Sequence, residues 1–226
     1  LKKISNFTGS AGYAIILKTK NYLFVDGRYL IQAKIESGKN FKIIQIPNKS
    51  PKDIFRDKIK KITLGFDPQL FTSFSLKKKF GNSVSLRPIK ENLVDKLFLE
   101  KKNVSIKKFY TLNSKIVGET SKSKINRLIK ELSSMKIDNI FISAPENVAW
   151  LLNIRGKDNP FSPIPNCKLI LTKDRKLYFF SCPKKISKIK NNLEYKNLEY
   201  CTYDKFIEII ENLKGNSFCI DKLTCS

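Results

Sequence analysis

The 226 residues of this chain include no histidine, the side chain best suited to move protons near neutral pH. Without imidazole there is no Ser–His or Cys–His nucleophile pair and no histidine metal ligand. A Ser–Lys hydrolase could manage without it, and S-x-x-K occurs at Ser75–Lys78 and Ser105–Lys108. In so lysine-rich a chain such matches arise by chance. No P-loop and no G-x-G-x-x-G opening a helix is present. The 20 carboxylates are scattered, with no acidic cluster of the kind that holds a divalent cation. Taken alone, the segment reads as non-catalytic.

Cysteine chemistry is equally sparse. Cys167, Cys182, Cys201, Cys219 and Cys225 all lie in the second half, spaced by 15, 19, 18 and 6 residues. Their number is odd and no C-x-x-C occurs, so neither a disulfide framework nor a zinc site is indicated. Four of them sit in or beside apolar stretches, where cysteine behaves as a small hydrophobe. A reducing, cytoplasmic setting fits. The formal charge of +24 invites a polyanion-binding reading. Only Arg28, Arg56, Arg87, Arg127, Arg155 and Arg175 are arginine, however, and the lysines are strewn over every segment. Phosphate recognition clusters its cations and leans on the arginine fork. A general lysine bias of the surface is the plainer account. The longest apolar runs are a few residues, as at Ala14–Leu17, so nothing spans a membrane.

The elements that must position these residues follow from patterning. Tyr13–Lys18 and Tyr22–Val25 read as buried strands joined by a polar turn. Asp26 caps a helix over Gly27–Glu36, with Leu30 and Ala33 facing the sheet. Phe41–Ile46 is the next strand. Ser50–Pro51 opens a helix with Asp53 in its first turn. Ile62–Phe66 is a strand, Gln69–Phe80 a helix and Ser83–Arg87 a strand. Glu91–Ser105 reads as a connector. Beyond it, Ser121–Lys136 carries Ile125, Leu128, Ile129, Leu132 and Met135 in one apolar stripe that packs on its own sheet. Asn139–Ser143 is a strand, and Pro145 starts a helix with Val148, Trp150, Leu151 and Leu152, Trp150 reading as core. A loop with Pro160, Pro163 and Pro165 leads to the hairpin Lys168–Thr172 and Lys176–Ser181. A helix and a strand then precede a helix over Tyr203–Leu213, with Phe206, Ile209, Ile210 and Leu213 on one face.

This order repeats. Slid by 154 positions, Ala14–Asp67 lies over Lys168–Asp221 without a gap, and I-T-L-G-F-D (62–67) sits over N-S-F-C-I-D (216–221). Few identities survive; the order of strands and helices does, as in a duplicated domain. The second copy is preceded by the elements of Thr120–Leu152, whose counterparts fall before the chain begins. The first continues through Gln69–Ile89, whose counterparts fall after it ends. The expectation is two related α/β domains, 1–100 and 101–226, each a mixed sheet flanked by helices. The first would lack its beginning and the second its end.

Four strings carry a family resemblance. F-T-G-S-A-G (7–12), V-D-G-R-Y-L-I-Q-A (25–33), K-E-N-L-V-D-K-L-F (90–98) and E-N-V-A-W-L-L-N-I-R-G (146–156) resemble, in this order, the N-terminal region of aminopeptidase P. That family removes an N-terminal residue when proline follows it. The resemblance implies two tandem creatinase N-terminal-like domains, followed in the three-domain form by a metallopeptidase domain. It also implies two divalent metal ions, usually manganese, held in that C-terminal domain by two Asp, one His and two Glu. None of those ligands maps onto this chain, so no catalytic residue and no bound cofactor is expected here. By the same resemblance the N-terminal domains shape the active-site entrance and support a homodimer acting on proline-containing peptides, with neither nucleic acid nor membrane as partner. Arg28 and Arg155 are then the candidates to face the cleft or an interface, with Asp26 and Tyr29 beside Arg28. Ordinary roles compete: Asp26 as a helix cap, Arg28 as a solvated first-turn residue, Arg155 as a cation at a helix end, and Gly9, Gly12, Gly27 and Gly156 as turn formers. Three departures stand out. Relatives carry Trp where Phe24 stands and Asp-Glu where Pro145–Glu146 stands. They also continue after N-I-R-G with a more aromatic stretch than S-P-I-P-N-C (162–167).

Two other functional classes compete. One is a free-standing basic module for nucleic acid or acidic partners, which salt-dependent affinity would reveal. The other is a creatine- or proline-dipeptide-acting relative, against which the duplication argues.

Overall fold

A computed structural model of the protein describes residues 1–56, 62–98, 106–159, 161–190, 195 and 197–226. The chain divides into two compact units, Leu1–Glu100 and Lys101–Cys225. Unit 1 runs α1 (Lys2–Ser5), β1 (Gly12–Ile16), β2 (Asn21–Asp26), a 3-10 turn (Gly27–Tyr29), α2 (Leu30–Ser37), β3 (Lys42–Ile46), α3 (Pro51–Phe55), β4 (Ile62–Phe66), α4 (Ser73–Phe80), β5 (Val84–Pro88) and α5 (Leu93–Leu97). Strand β2 pairs antiparallel with β1 and parallel with β3, while β4 and β5 form a separate parallel pair. Along β2 the period-two rule sends Tyr22 and Phe24 to one face and Leu23 and Val25 to the other. Both faces are buried. Tyr22 and Phe24 meet Phe55, Leu76, Phe80 and Val84, whereas Leu23 and Val25 meet Phe7, Ala33 and Phe41.

The helix caps follow the sequence, with one shift. Asp53 accepts the Ser50 amide at 2.9 Å and closes a capping box at α3. Helix α4 starts at Ser73 rather than Gln69, because Thr72 turns its hydroxyl onto the Ser75 amide at 3.0 Å. Within the expected connector, Asn92 caps α5 by accepting from Val94 and Asp95. The rest of that stretch, 99–105, lies outside the described residues, as does Pro160.

Unit 2 runs β6 (Tyr110–Thr111), α6 (Ser114–Val117), α7 (Ser121–Ser134), β7 (Asn139–Ile142), α8 (Pro145–Leu152), β8 (Ile154–Arg155), β9 (Lys168–Thr172), β10 (Leu177–Phe180), α9 (Pro183–Ile186), β11 (Leu198–Cys201), a 3-10 turn (Tyr203–Lys205), α10 (Phe206–Glu211) and β12 (Phe218–Ile220). One mixed sheet holds five strands in the order β11-β10-β9-β7-β12, and β6 pairs with β8 at the side. Helices α7, α8 and α9 cover one face through Ile125, Ile129, Leu132, Val148, Leu151, Leu152 and Ile186. On the other face, α10 lays Phe206, Ile209 and Ile210 on Phe141, Ile170 and Phe180. Met135 is the exception in the α7 stripe: it caps the helix end and is exposed.

The repeat is visible in the pairing, but not without gaps. Placing Leu23 of β2 on Leu177 of β10 makes their neighbours Ala14 and Leu171 equivalent, a shift of 157 rather than 154. An odd error of three would turn every side chain of that strand to the wrong face. The two hairpin turns therefore differ in length, and the offset changes again at the next strand: Ile43 beside Leu23 matches Leu198 beside Leu177, a shift of 155.

Candidate functional site

In unit 1 the strings F-T-G-S-A-G and V-D-G-R-Y-L-I-Q-A come together at the C-terminal end of β2. Asp26 ends the strand and caps the 3-10 turn by accepting the Arg28 amide at 2.9 Å. The same carboxylate takes the Arg28 fork, Nε at 3.2 and 3.3 Å and Nη2 at 2.7 Å. That fork holds the Asp26 carboxyl below its usual range and the guanidinium above its own. Arg28 is nonetheless 76% exposed at its side chain, so it is a pre-aimed cation facing solvent. Its guanidinium lies 5.5 Å from the Tyr29 ring. Tyr29 stands edge-on to buried Phe7 and shares a 2.7 Å hydrogen bond with the Ser10 hydroxyl.

The 7–12 loop is stapled to α2 by residues that sequence reasoning missed. Glu36 accepts the Thr8 amide at 2.8 Å and the Thr8 hydroxyl at 2.7 Å. Gln32, one helical turn earlier, donates to the Thr8 hydroxyl and to Glu36. The Thr8 hydroxyl and amide, with Gln32, keep the Glu36 carboxyl below the normal range. The i, i+4 spacing of Gln32 and Glu36 was the available signal. Gly9 and Gly12 serve close approach rather than left-handed turns. A Cβ at Gly9 would stand 2.3 Å from the Phe7 ring, and one at Gly12 would stand 2.9 Å from the Phe24 carbonyl oxygen.

Arg155 belongs to unit 2 and is turned inward. Its Nη1 donates to the carbonyls of Ile154 at 2.8 Å and Ala149 at 3.3 Å, satisfying the end of α8. Beside it lies a second set absent from the sequence reading. Lys124 is only 4% exposed, and its ammonium donates to Trp150 O at 2.8 Å and Asn153 Oδ1 at 2.7 Å. Asn153 ends α8 in the left-handed region, φ 54°, and donates to the Glu119 carbonyl at 2.9 Å. Burial pushes the Lys124 pKa down; Glu119 opposes this, and the Arg155 and Arg127 charges reinforce it. Trp150 is not core: it is 52% exposed, with Lys124 Nζ 4.2 Å and Arg127 5.8 Å from its ring. Helix α8 turns Val148, Ala149, Leu151 and Leu152 inward, and the tryptophan falls on the remaining face.

The loop after Gly156 is fixed at its base. Gly156 donates to the Pro163 carbonyl at 2.9 Å, and a Cβ there would stand 2.6 Å from Pro165 Cα. Asp158 accepts Lys185 Nζ at 2.5 Å and the Asn166 amide at 2.6 Å. From this base Phe161 projects 96% exposed.

The donor set does not fit a two-metal centre. The sequence has no histidine, and among the described residues no three of His, Cys, Asp and Glu converge. Unit 1 presents a forked, exposed arginine beside a braced tyrosine; unit 2, taken by itself, presents the exposed Phe161.

Two family models, both described as the creatinase/prolidase N-terminal domain, match residues 4–97 and 100–226. A probable Xaa-Pro aminopeptidase P of Laccaria bicolor is 31% identical over 204 residues, covering 85% of this chain and 31% of its own length. Aminopeptidase P2 of Arabidopsis thaliana is 28% identical over 235 residues, covering 98% and 33%. Among solved structures, X-prolyl aminopeptidase from Caenorhabditis elegans, described as a cytosolic enzyme with a di-nuclear active site, superposes with a TM-score of 0.83 at 26% identity. That superposition covers 93% of this chain and 36% of the enzyme. The chain thus spans about a third of the length of the curated relatives it matches. With one family model over each half, the chain belongs to the creatinase/prolidase N-terminal domain family.

Proposed function

We propose that this chain is the non-catalytic N-terminal part of a cytosolic Xaa-Pro aminopeptidase, shaping the active-site entrance and a homodimer. The superposition on the C. elegans enzyme carries the reading: nearly all of this chain corresponds to about a third of a dinuclear peptidase. Under it, the two metal ions, manganese in the expected form, and the bond-breaking step belong to polypeptide beyond these residues. Asp26, Asp53, Asp138 and Asp158 hold arginine, lysine and backbone amides instead. Proline-containing peptides are the substrates, and nucleic acid is not a partner. Among the described residues, no helix is long and apolar enough to cross a membrane.

Arg28 is the residue of this chain best placed to meet a peptide carboxylate or a neighbouring domain. Asp26 fixes its guanidinium, and the Tyr29–Ser10 contact fixes the turn that carries it. Arg155 is spent on the end of α8 and contributes by holding that helix.

The test uses the full-length enzyme. Arg28→Ala should raise KM for an Xaa-Pro peptide with kcat kept, and Arg155→Ala should lower thermal stability with KM kept. Residues 1–226 alone should turn over no peptide with manganese added. Turnover by that segment would overturn the assignment.

A further inference from the structure

In unit 2 the carboxyl ends of two neighbouring strands meet. Strands β7 and β12 run parallel, and the helices beside them in sequence lie on opposite faces of the sheet. Helix α8 follows β7 over one face, and α10 precedes β12 over the other. In open α/β sheets, a crevice outside the carboxyl ends of such strands is where ligands bind. Here the crevice is a cavity of about 350 Å³, within the range of small-molecule sites. It is lined by Leu128 of α7, Leu151 of α8 and Ile140 and Ile142 of β7, with Trp150 and Asp221 adding an aromatic ring and a carboxylate. Leu128, Ile140 and Ile142 are only partly buried, so the unit's own side chains cover this apolar lining incompletely.

The cavity is preformed. The Ser143 and Thr224 hydroxyls share a 2.8 Å hydrogen bond that ties the turn after β12 to the end of β7. Asp221 braces the same turn, its Oδ1 accepting the Leu223 amide at 2.9 Å and its Oδ2 the Thr224 hydroxyl at 3.1 Å. Each carboxylate oxygen keeps a second acceptor position.

Charge selects the ligand. The cations nearest Trp150 are already engaged: Lys124 on Trp150 O and Asn153 Oδ1, and Arg127 on Glu119 at 2.8 Å. Glu146 in the first turn of α8 meets the positive end of that helix. Among the described lining residues, Asp221 is the one that carries a charge. We propose that the cavity binds a small amphipathic amine, its apolar body against Trp150, Leu128 and the two isoleucines and its ammonium on Asp221. An acid of the same shape meets the Asp221 carboxylate and is disfavoured. The site lies within unit 2 and does not depend on the peptidase reading.

Calorimetric titration with phenethylamine, phenethyl alcohol and hydrocinnamate tests it, on the full-length polypeptide and on residues 1–226. In residues 1–226 the fluorescence of Trp150, the single tryptophan, reports the same event. The amine should bind about three- to fivefold more tightly than the alcohol, as suits an ion pair at an exposed carboxylate, and the acid should bind most weakly. Asp221→Asn should bring the amine down to the level of the alcohol and leave the alcohol unchanged. Cys219→Phe, which sets a ring into the cavity lining, should weaken all three. Equal affinities for amine and acid, or an amine affinity that Asp221→Asn leaves intact, would overturn the proposal. So would binding by residues 1–226 that the full-length polypeptide does not show.

Discussion

Replacing Lys124 with methionine keeps the aliphatic stem and removes the ammonium. In the native unit that ammonium satisfies Trp150 O and Asn153 Oδ1. Trp150 O keeps the Asn153 amide at 3.4 Å, so Asn153 Oδ1 is the acceptor that loses its donor, and one buried acceptor left unpaired costs about 1–3 kcal/mol. Against this, the variant no longer has to bury a charge, and the lowered Lys124 pKa shows that burial is a real cost. The lower end of the range follows, a loss of about 1–2 kcal/mol at pH 7. The pH dependence discriminates further. A lysine whose folded pKa is depressed binds fewer protons folded than unfolded, so native stability rises with pH between that depressed value and about 10.4. Lys124→Met lacks this rise, so the gap between native protein and variant should widen from pH 7 to pH 10. Urea unfolding followed by the fluorescence of the single tryptophan, 4.2 Å from the Lys124 ammonium, reads both numbers. A variant as stable as the native protein, or a gap that closes with rising pH, would refute the argument.

Phe24 is fully buried and stacked on Tyr13 at 4.8 Å, so Phe24→Ala should destabilise unit 1 by about 3–5 kcal/mol in a circular-dichroism melt. Asp138 accepts Lys173 Nζ, the amides of Asn216 and Ser217, and the Ser217 hydroxyl, which hold its carboxyl well below the usual range. Its contribution is present above the ordinary aspartate pKa and fades as pH falls through the depressed one, so Asp138→Asn should flatten the acid limb of stability below about pH 4. Burial pushes the Cys201 thiol up to about 11 and raises that of Cys167 further. Mass-resolved alkylation of the folded chain at pH 8 should therefore modify Cys182, Cys219 and Cys225, which are only half-buried, well before those two.

Periodicity reported the fold well because both units bury two faces of a sheet. Alternation along β2 and the 3.6-residue stripe of α7 are local patterns, and they assigned Phe24 and Ile129 correctly. It failed where a tertiary choice overrode the pattern. Trp150 shares a helix with Leu151 and Leu152, yet the other apolar residues already fill the inward face. The gapless overlay failed because loop length is invisible to element order. At the site, D-G-R announced the Asp26 cap through local spacing alone. The Ser10–Tyr29 and Thr8–Glu36 pairs span 19 and 28 residues, and no window of sequence contains them. Lys124 was hidden differently: only burial sets it apart from the many lysines of the chain.

At the far end of the second sheet, β12 has, among the described residues, a neighbour on one side only, and Phe218 and Ile220 there are 41% and 50% exposed. An open ladder of this kind is a template on which another molecule can grow. The formal charge of +24 opposes such pairing, with a reach that shrinks to about 8 Å at physiological salt. The purified segment should therefore stay clear when concentrated in dilute buffer and turn turbid as salt is added, the reverse of a protein held in solution by salting-in.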